Sequence, residues 1–243
     1  MRNGITGTGS HRRLTLVTET GTGSDRLRSP RSLEESSDID IREVRSSADR
    51  DAILKFRHRV AVMDMNRLHL RLDYPRHAPD DNQHVDGVQL IALCHSEIVG
   101  SIQITYAFTR DLGLEADFFR MREFAGSDHP AHTCIVSHLL VDPARRAGTL
   151  GRALCVAAYR HALGENARTA FLRCNDALVY YFSSLGFKPY MGKARHAEYG
   201  DVLPMKIDLQ DENYLAMIHS PFVAALRDWK RARTPEVRVV PRK

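Results

Sequence analysis

HTCIVSHLLVDPARRAGTLGRALCVAAYRHAL, from His132 to Leu163, is the stretch on which the fold turns. Ile135, Val136, Leu139, Leu140 and Val141 form the apolar run of a buried strand. Pro143 closes that run, because proline cannot donate to a ladder hydrogen bond. Arg145, Arg146, Gly148, Gly151 and Arg152 then crowd the first turn of an amphipathic helix. Free N–H groups at a helix start attract anions, and arginines on the same turn strengthen the attraction. A strand, a basic glycine-containing turn and a helix, in that order, predict a phosphate-binding turn.

Outward from this segment the chain alternates between strand and helix patterns. IDIREVRS, from Ile39, alternates like a strand, and Ala48 to Met63 reads as a helix with Ala52, Leu54, Phe56, Val60 and Met63 on one face. Asp49 and Asp51 suit the helix start. Residues 64–86 carry Pro75 and Pro79, end in DDNQHVD and read as irregular. VQLIALCHS and EIVGSIQITYA form a hairpin around His95 to Glu97, and Leu114 to Phe124 reads as one helix. After the central segment come TAFLRC (Thr169 to Cys174) as a buried strand and a short helix from Asp176 to Leu185, closed by Gly186. LPMKIDL is a last strand, and DENYLAMIHSPFVAALRDW a terminal helix interrupted near Pro221. This order predicts an α/β sandwich on a mixed sheet.

Residues 1–37 are rich in Gly, Thr, Ser and Arg and read as disordered. The GTG repeats at Gly7 and Gly21 lack the strand-to-helix context of a phosphate loop. One domain over 38–229 and a basic tail over 230–243 complete the expected organisation. From Arg227 to Lys243 there are seven basic residues against two acidic ones, so the end of the chain could meet an acidic partner such as an acyl carrier protein. A composition of 43% hydrophobic and 27% charged residues, with no apolar run near the roughly 20 residues of a membrane span, points to a soluble protein with no membrane span. With no signal-peptide core, the expected location is cytoplasmic. Cys94, Cys134, Cys155 and Cys174 show no C-x-x-C spacing, so packed thiols are expected and no metal site is assigned. Zinc-finger spacing and basic–aromatic interleaving are absent, which argues against nucleic-acid binding.

VDPARRAGTLG resembles the acyl-CoA-binding turn of the GNAT N-acyltransferases, Q/R-x-x-G-x-G/A after a strand. Arg145 and Gly148 match its first two positions; Leu150 stands where Gly or Ala is usual, and Gly151 follows one place later. Phe171 to Tyr190, FLRCNDALVYYFSSLGFKPY, resembles the GNAT strand–helix–strand ending in "lGF.pY". The likeness extends, over roughly residues 50–225, to acyl-homoserine-lactone synthases and long-chain N-acyl amino acid synthases. LKFRHRVAV supplies Arg57 and Val60 of their first helix, Asp86 their acidic loop, LIAL the following strand and VGSIQI the hairpin strand. The resemblance implies a mixed, mostly antiparallel central sheet flanked by helices. It also implies an enzyme that moves an acyl group, long-chain in this branch, from acyl-CoA or acyl-phosphopantetheine on a carrier protein to a small-molecule amine such as an amino acid. No permanently bound cofactor is implied.

Several positions depart from that pattern. The family strand reads E-x-S-R, where this chain has Ile135, Val136, Ser137 and His138; the hairpin-strand arginine is Gln103. A charged network replaced as a unit explains all three, since losing the carboxylate alone would strand a buried arginine. The general-acid tyrosine that GNATs often place four residues before the Gly of "lGF" is Phe182; Tyr181, one place earlier, is expected to point elsewhere on the helix.

Amide formation from a thioester needs a base, an oxyanion donor and a grip on the pantetheine. The turn from Arg145, Arg146, Ala147, Gly148, Thr149 and Leu150 to Gly151 and Arg152 would bind phosphate. The edge of Leu139, Leu140 and Val141 would pair with the pantetheine amides, as an added strand does. Asn175 reads either as a bond to the pantetheine arm or as a helix N-cap. His138 is the first choice of base, because an imidazole with a pKa of about 6.5 suits deprotonation near neutrality; the alternative is a histidine facing the sheet's other side. Ser137 could relay a proton, but strand alternation puts it and His138 on opposite faces. Arg57 could fix an acceptor carboxylate or the acyl carbonyl, and Asp86 could pair with it or grip an acceptor ammonium; a plain ion pair is the other reading of both. Two rivals stand beside the long-chain reading: an acetyltransferase of an amine, and a non-catalytic acyl-thioester-binding module.

Overall fold

The computed structural model describes residues 39–60, 87–196 and 199–233. The readings of residues 1–37 and 64–86, and the position of Asp86, therefore lie outside the described residues. Strand β1 (Ile39–Glu43) passes into helix α1 (Ser47–His58) through a capping box. The Ser46 hydroxyl accepts from the Asp49 N–H at 3.0 Å, and the Asp49 carboxylate accepts from the Ser46 N–H at 3.3 Å, satisfying two helix-start donors. The Arg42 guanidinium grips both oxygens of the same carboxylate, at 2.8 and 2.9 Å. That charge-assisted pair holds the Asp49 carboxyl well below the usual carboxylate range.

Strands β2 (Val88–Cys94) and β3 (Glu97–Tyr106) form the expected hairpin, turning through His95 and Ser96 at positive φ. The single helix expected over 114–124 is instead two short ones, α2 (Leu114–Phe118) and α3 (Met121–Ala125). Arg120 breaks them in the left-handed conformation, φ 48°. The turn lets both Phe119 and Met121 reach full burial, and that burial outweighs the strain of one left-handed residue. Then follow β4 (Thr133–Val141), α4 (Leu150–Gly164), β5 (Thr169–Cys174) and α5 (Val179–Leu185), ended by Gly186 at φ 122° as expected. The short strands β6 (Lys188–Pro189) and β7 (Ala194–His196), with two and three residues, carried no periodic signal. Strand β8 (Gly200–Asp208) begins three residues before the expected LPMKIDL. Helices α6 (Glu212–Met217) and α7 (Phe222–Arg233) flank Pro221. Helix α7 runs four residues into the stretch read as a tail: Lys230 bonds Glu212 and Arg233 bonds Asn166, both at 2.8 Å.

The sheet order is β1-β2-β3-β4-β5-β8, with β6 and β7 pairing with β8. Every pairing is antiparallel except β4 with β5, which is the mixed, mostly antiparallel sheet the sequence predicts. One face carries Leu90, Ala92, Ile102, Ile104, Cys134 and Leu172 and packs under α4 to α7. The opposite face carries Ile135 and Phe171, covered by Phe119 and Met121. Helix α1 also lies on this second face, where Arg57 bonds Gln103 of β3. All four cysteines are buried and unpaired, and burial pushes the Cys134 and Cys155 thiols up to about 12, so they behave as packed thiols. Among the described residues no helix is long and apolar enough to cross a membrane, and no cluster of His, Cys, Asp or Glu could hold a metal ion.

Two irregularities shape the middle of the sheet. Strands β4 and β5 pair only over Thr133–Ile135 and Thr169–Phe171 and then part. Strand β4 also bulges against β3: Gln103 pairs with Ser137 but Ser101 with Leu140, so two steps on one strand span three on the other. His138 sits in this bulge at φ 52°. Helix α4 closes over the bulge side, with Leu154 fully buried and against Gly100, where a Cβ would come within 2.8 Å of Leu154 Cδ1. Leu154→Ala should therefore cost about 2–5 kcal/mol, read as a lower urea midpoint with an unchanged slope.

Candidate active site

The basic turn read as phosphate-binding lies between the end of β4 and the first turn of α4. Asp142 caps the turn after β4, accepting from the Ala144 N–H at 3.1 Å, and Arg59 of the α1 end bonds the same carboxylate at 3.2 Å. Arg146 Nε donates to the Val141 carbonyl at 3.2 Å and Arg145 donates to Cys94 Sγ at 3.2 Å, so both side chains are anchored beside the turn. Gly148 N–H folds back to the Arg145 carbonyl at 3.2 Å. The Ala153 N–H reaches the Thr149 carbonyl, and Thr149 offers no side-chain cap. The N–H groups of Leu150, Gly151 and Arg152 therefore have no helical acceptor and converge at the head of α4. Leu150, at the position where Gly or Ala is usual, is buried and packs into the core under the turn.

The backbone of Val136 to Val141 on the side facing β5 has no ladder partner among the described residues, because β5 has diverged. Leu139, Leu140 and Val141 thus present the open strand edge that an extended amide-bearing arm could extend. Asn175, across the gap at the end of β5, is exposed, and its side chain makes no capping hydrogen bond. Asn175 does occupy the N-cap position of the turn that follows, with extended backbone, and its carbonyl accepts from the Leu178 N–H at 3.1 Å.

The bulge corrects the expectation that Ser137 and His138 oppose one another. Val136 and Leu139 both pack on the first-face core, so the two residues between them project together to the second face. Ser137 Oγ and His138 Nδ1 stand 3.0 Å apart. The extra residue supplied by the bulge cancels the alternation that a regular strand would impose. Ser101 Oγ donates to the His138 carbonyl at 3.4 Å, holding the irregular peptide from β3.

Arg57 enters the same face from α1. Its Nη2 donates to Gln103 Oε1 at 3.2 Å, and Gln103 is the register partner of Ser137. Arg57, Gln103, Ser137 and His138 therefore form one polar group beside the point where the strands part. The partner of Arg57 is this neutral amide; among the described residues it has no carboxylate. Its Nε is buried without a hydrogen-bond partner. Burial pulls the guanidinium down to about 10, opposed by the Tyr199 phenol, so it stays charged at neutral pH.

Tyr181 was missed by helix-wheel reasoning. Phe182 turns into the core against Phe187, while the Tyr181 hydroxyl reaches the first turn of α4. A Cβ built on Gly151 would lie 3.2 Å from that hydroxyl and 3.6 Å from Val141, and Cys155 Sγ is 3.7 Å from it. Burial pushes the phenol well above its ordinary value, so it remains a proton donor.

Solved structures share this open, mostly antiparallel fold. An N-acyl amino acid synthase from uncultured soil microbes, FeeM, superimposes with a TM-score of 0.56 over 76% of this chain and 97% of that one, at 12% identity. The CoA-dependent acyl-homoserine lactone synthase BjaI, solved with SAM and isopentyl-CoA, gives 0.53 over 75% and 92%, at 18% identity. This is the GNAT fold. No family model and no curated protein sequence matches the chain. In the GNAT fold of this chain, a Cβ at Gly148 meets only the Arg145 carbonyl, at 3.4 Å, so the fold leaves room there. Gly148→Phe should keep the melting temperature within a few degrees while weakening acyl-CoA binding more than about tenfold by calorimetry. Unchanged affinity would remove the phosphate assignment.

Proposed function

We propose that the protein is an N-acyltransferase that moves an acyl group, long-chain in the preferred reading, from an acyl-CoA or acyl carrier protein thioester to the amine of an amino acid or related small molecule. The observation that carries this reading is the joint projection of Ser137 and His138 at the splay of β4 and β5, beside a helix start with free N–H groups. The named activities of FeeM and BjaI support the amide-forming part of the reading.

In this mechanism the phosphates lie on the N–H groups of Leu150 to Arg152, and the pantetheine amides extend the open edge of β4. Asn175 bonds the arm from the β5 side. The thioester carbonyl then stands at the splay, next to the bulge, where a backbone N–H of the open β4 edge receives the oxyanion. Ser137 engages Nδ1 of His138, so proton transfer runs through Nε2. His138 takes a proton from the acceptor amine as its nitrogen bonds to the acyl carbon. The carbon–sulfur bond then breaks, and the departing thiolate takes a proton from the Tyr181 hydroxyl, which regains one from solvent. Arg57, a buried cation beside a neutral amide, draws the acceptor carboxylate toward the splay. Asp86, outside the described residues, is retained as a partner for the acceptor ammonium.

The test is direct. Purified protein is incubated with long-chain and acetyl thioesters, each as CoA and carrier-protein forms, and a pool of amino acids and amines, and new amides are sought by mass spectrometry. A long-chain amide is expected, with no more than trace acetyl product. An acetyl amide alone would favour a small-acyl enzyme, and thioester binding without any product a non-catalytic module. His138→Ala should lower kcat more than about tenfold with donor affinity unchanged, a loss of the size general-base removal gives.

A further inference from the structure

A second polar cluster faces the splay from the β5 side. In the parallel register Ile135 stands beside Phe171, so Ser137 and Arg173, two residues further on each strand, are level across the gap and on the same face. Arg173 Nη1 donates to Glu115 Oε2 of α2 at 2.5 Å, and its side chain is only 13% exposed. The guanidinium lies over the rings of Tyr199, at 4.8 Å, and Phe119, at 5.9 Å. His196 of β7 accepts from the Tyr199 N–H at Nδ1, 3.4 Å, and its Nε2 faces Glu115 Oε1 at 3.3 Å. Tyr199 thus touches the Arg173 cluster and also lies within electrostatic reach of Arg57.

Among the described residues this wall of the gap holds two guanidiniums, Arg57 and Arg173, and one carboxylate, Glu115. Counted over the described residues, the guanidiniums outnumber the carboxylates by one. Neither arginine faces bulk water, and a half-buried surplus cation favours a ligand that brings one carboxylate. We propose that Arg173, set by Glu115, His196 and Tyr199, is a specificity-determining residue that with Arg57 selects acceptors carrying a free carboxylate beside the amine. This rests on the acyltransferase reading and narrows its acceptor to amino acids over plain amines.

The proposal is tested with amino acids offered as free acids and as their carboxamides, against one long-chain acyl-CoA. Wild-type protein should prefer the acids at least about tenfold in kcat/KM. Arg173→Gln should shrink that preference to under about threefold through the KM of the acid, leaving the donor KM and the carboxamide rate unchanged. Glu115→Gln should keep or steepen the acid preference, because it removes the negative charge and leaves the guanidinium. A merely structural ion pair predicts instead that both substitutions depress acid and carboxamide alike, and that outcome overturns the proposal. Equal use of acids and carboxamides by the wild type also overturns it while leaving the acyltransferase reading intact. If no acceptor yields an amide, the underlying reading falls and this one with it.

Discussion

Ile135 and Phe171 are the last residues at which the two middle strands share backbone hydrogen bonds. Beyond them, β4 and β5 diverge inside a sheet whose other junctions are zipped. An internal gap of this kind leaves backbone donors and acceptors in search of partners. A protein keeps such a gap only where the surrounding packing enforces it, and here both faces do so. Helix α4 and the Leu154 core grip β3 and β4 on one side, while the rings of Phe119 and Phe171 pack against Ile135 on the other. The basic turn at one end of the gap and the polar residues at its mouth are kept accessible because the strands part between them.

The bulge at His138 is the second constraint, and it acts through parity. A regular strand would send Ser137 and His138 to opposite faces. One extra residue keeps Val136 and Leu139 both in the core and leaves the pair between them facing the same side. A left-handed conformation at a histidine is uncommon and costs of the order of 1–2 kcal/mol, so the surrounding sheet must over-determine it. Ser101 does part of this by holding the His138 carbonyl.

Electrostatics on the second face divide into two kinds. Glu115 neutralises Arg173, and both are arranged by the neighbouring rings of Phe119 and Tyr199 and by His196. Arg57 has the neutral Gln103 amide for a partner, which satisfies one of its donors and leaves its charge unbalanced among the described residues. The joint presence of Ile135, His138 and Gln103 makes sense in this setting. With the carboxylate position filled by a buried isoleucine, a second arginine in that pocket would add an unbalanced cation, and a neutral glutamine does not.

The primary sequence alone was enough to determine the strand–turn–helix at Val141 to Gly164, the hairpin, the order of elements and hence the sheet class. Those follow from local periodicity, proline placement and helix-start chemistry, which need no distant partner. Arg145, Gly148 and the free amides of Leu150 to Arg152 were legible for the same reason. What the tertiary structure decided was where side chains meet. The break at Arg120 arises because Phe119 and Met121 both find the second-face core; the short β6 and β7 exist only as partners of β8. Ser137 meets His138 because β4 bulges against β3, Tyr181 meets Gly151 through the packing of α5 on α4, and Arg173 stands level with Ser137 through the register of two strands over thirty residues apart in sequence. Register, bulges and helix rotation are set by contacts between distant segments, so no local pattern carries them.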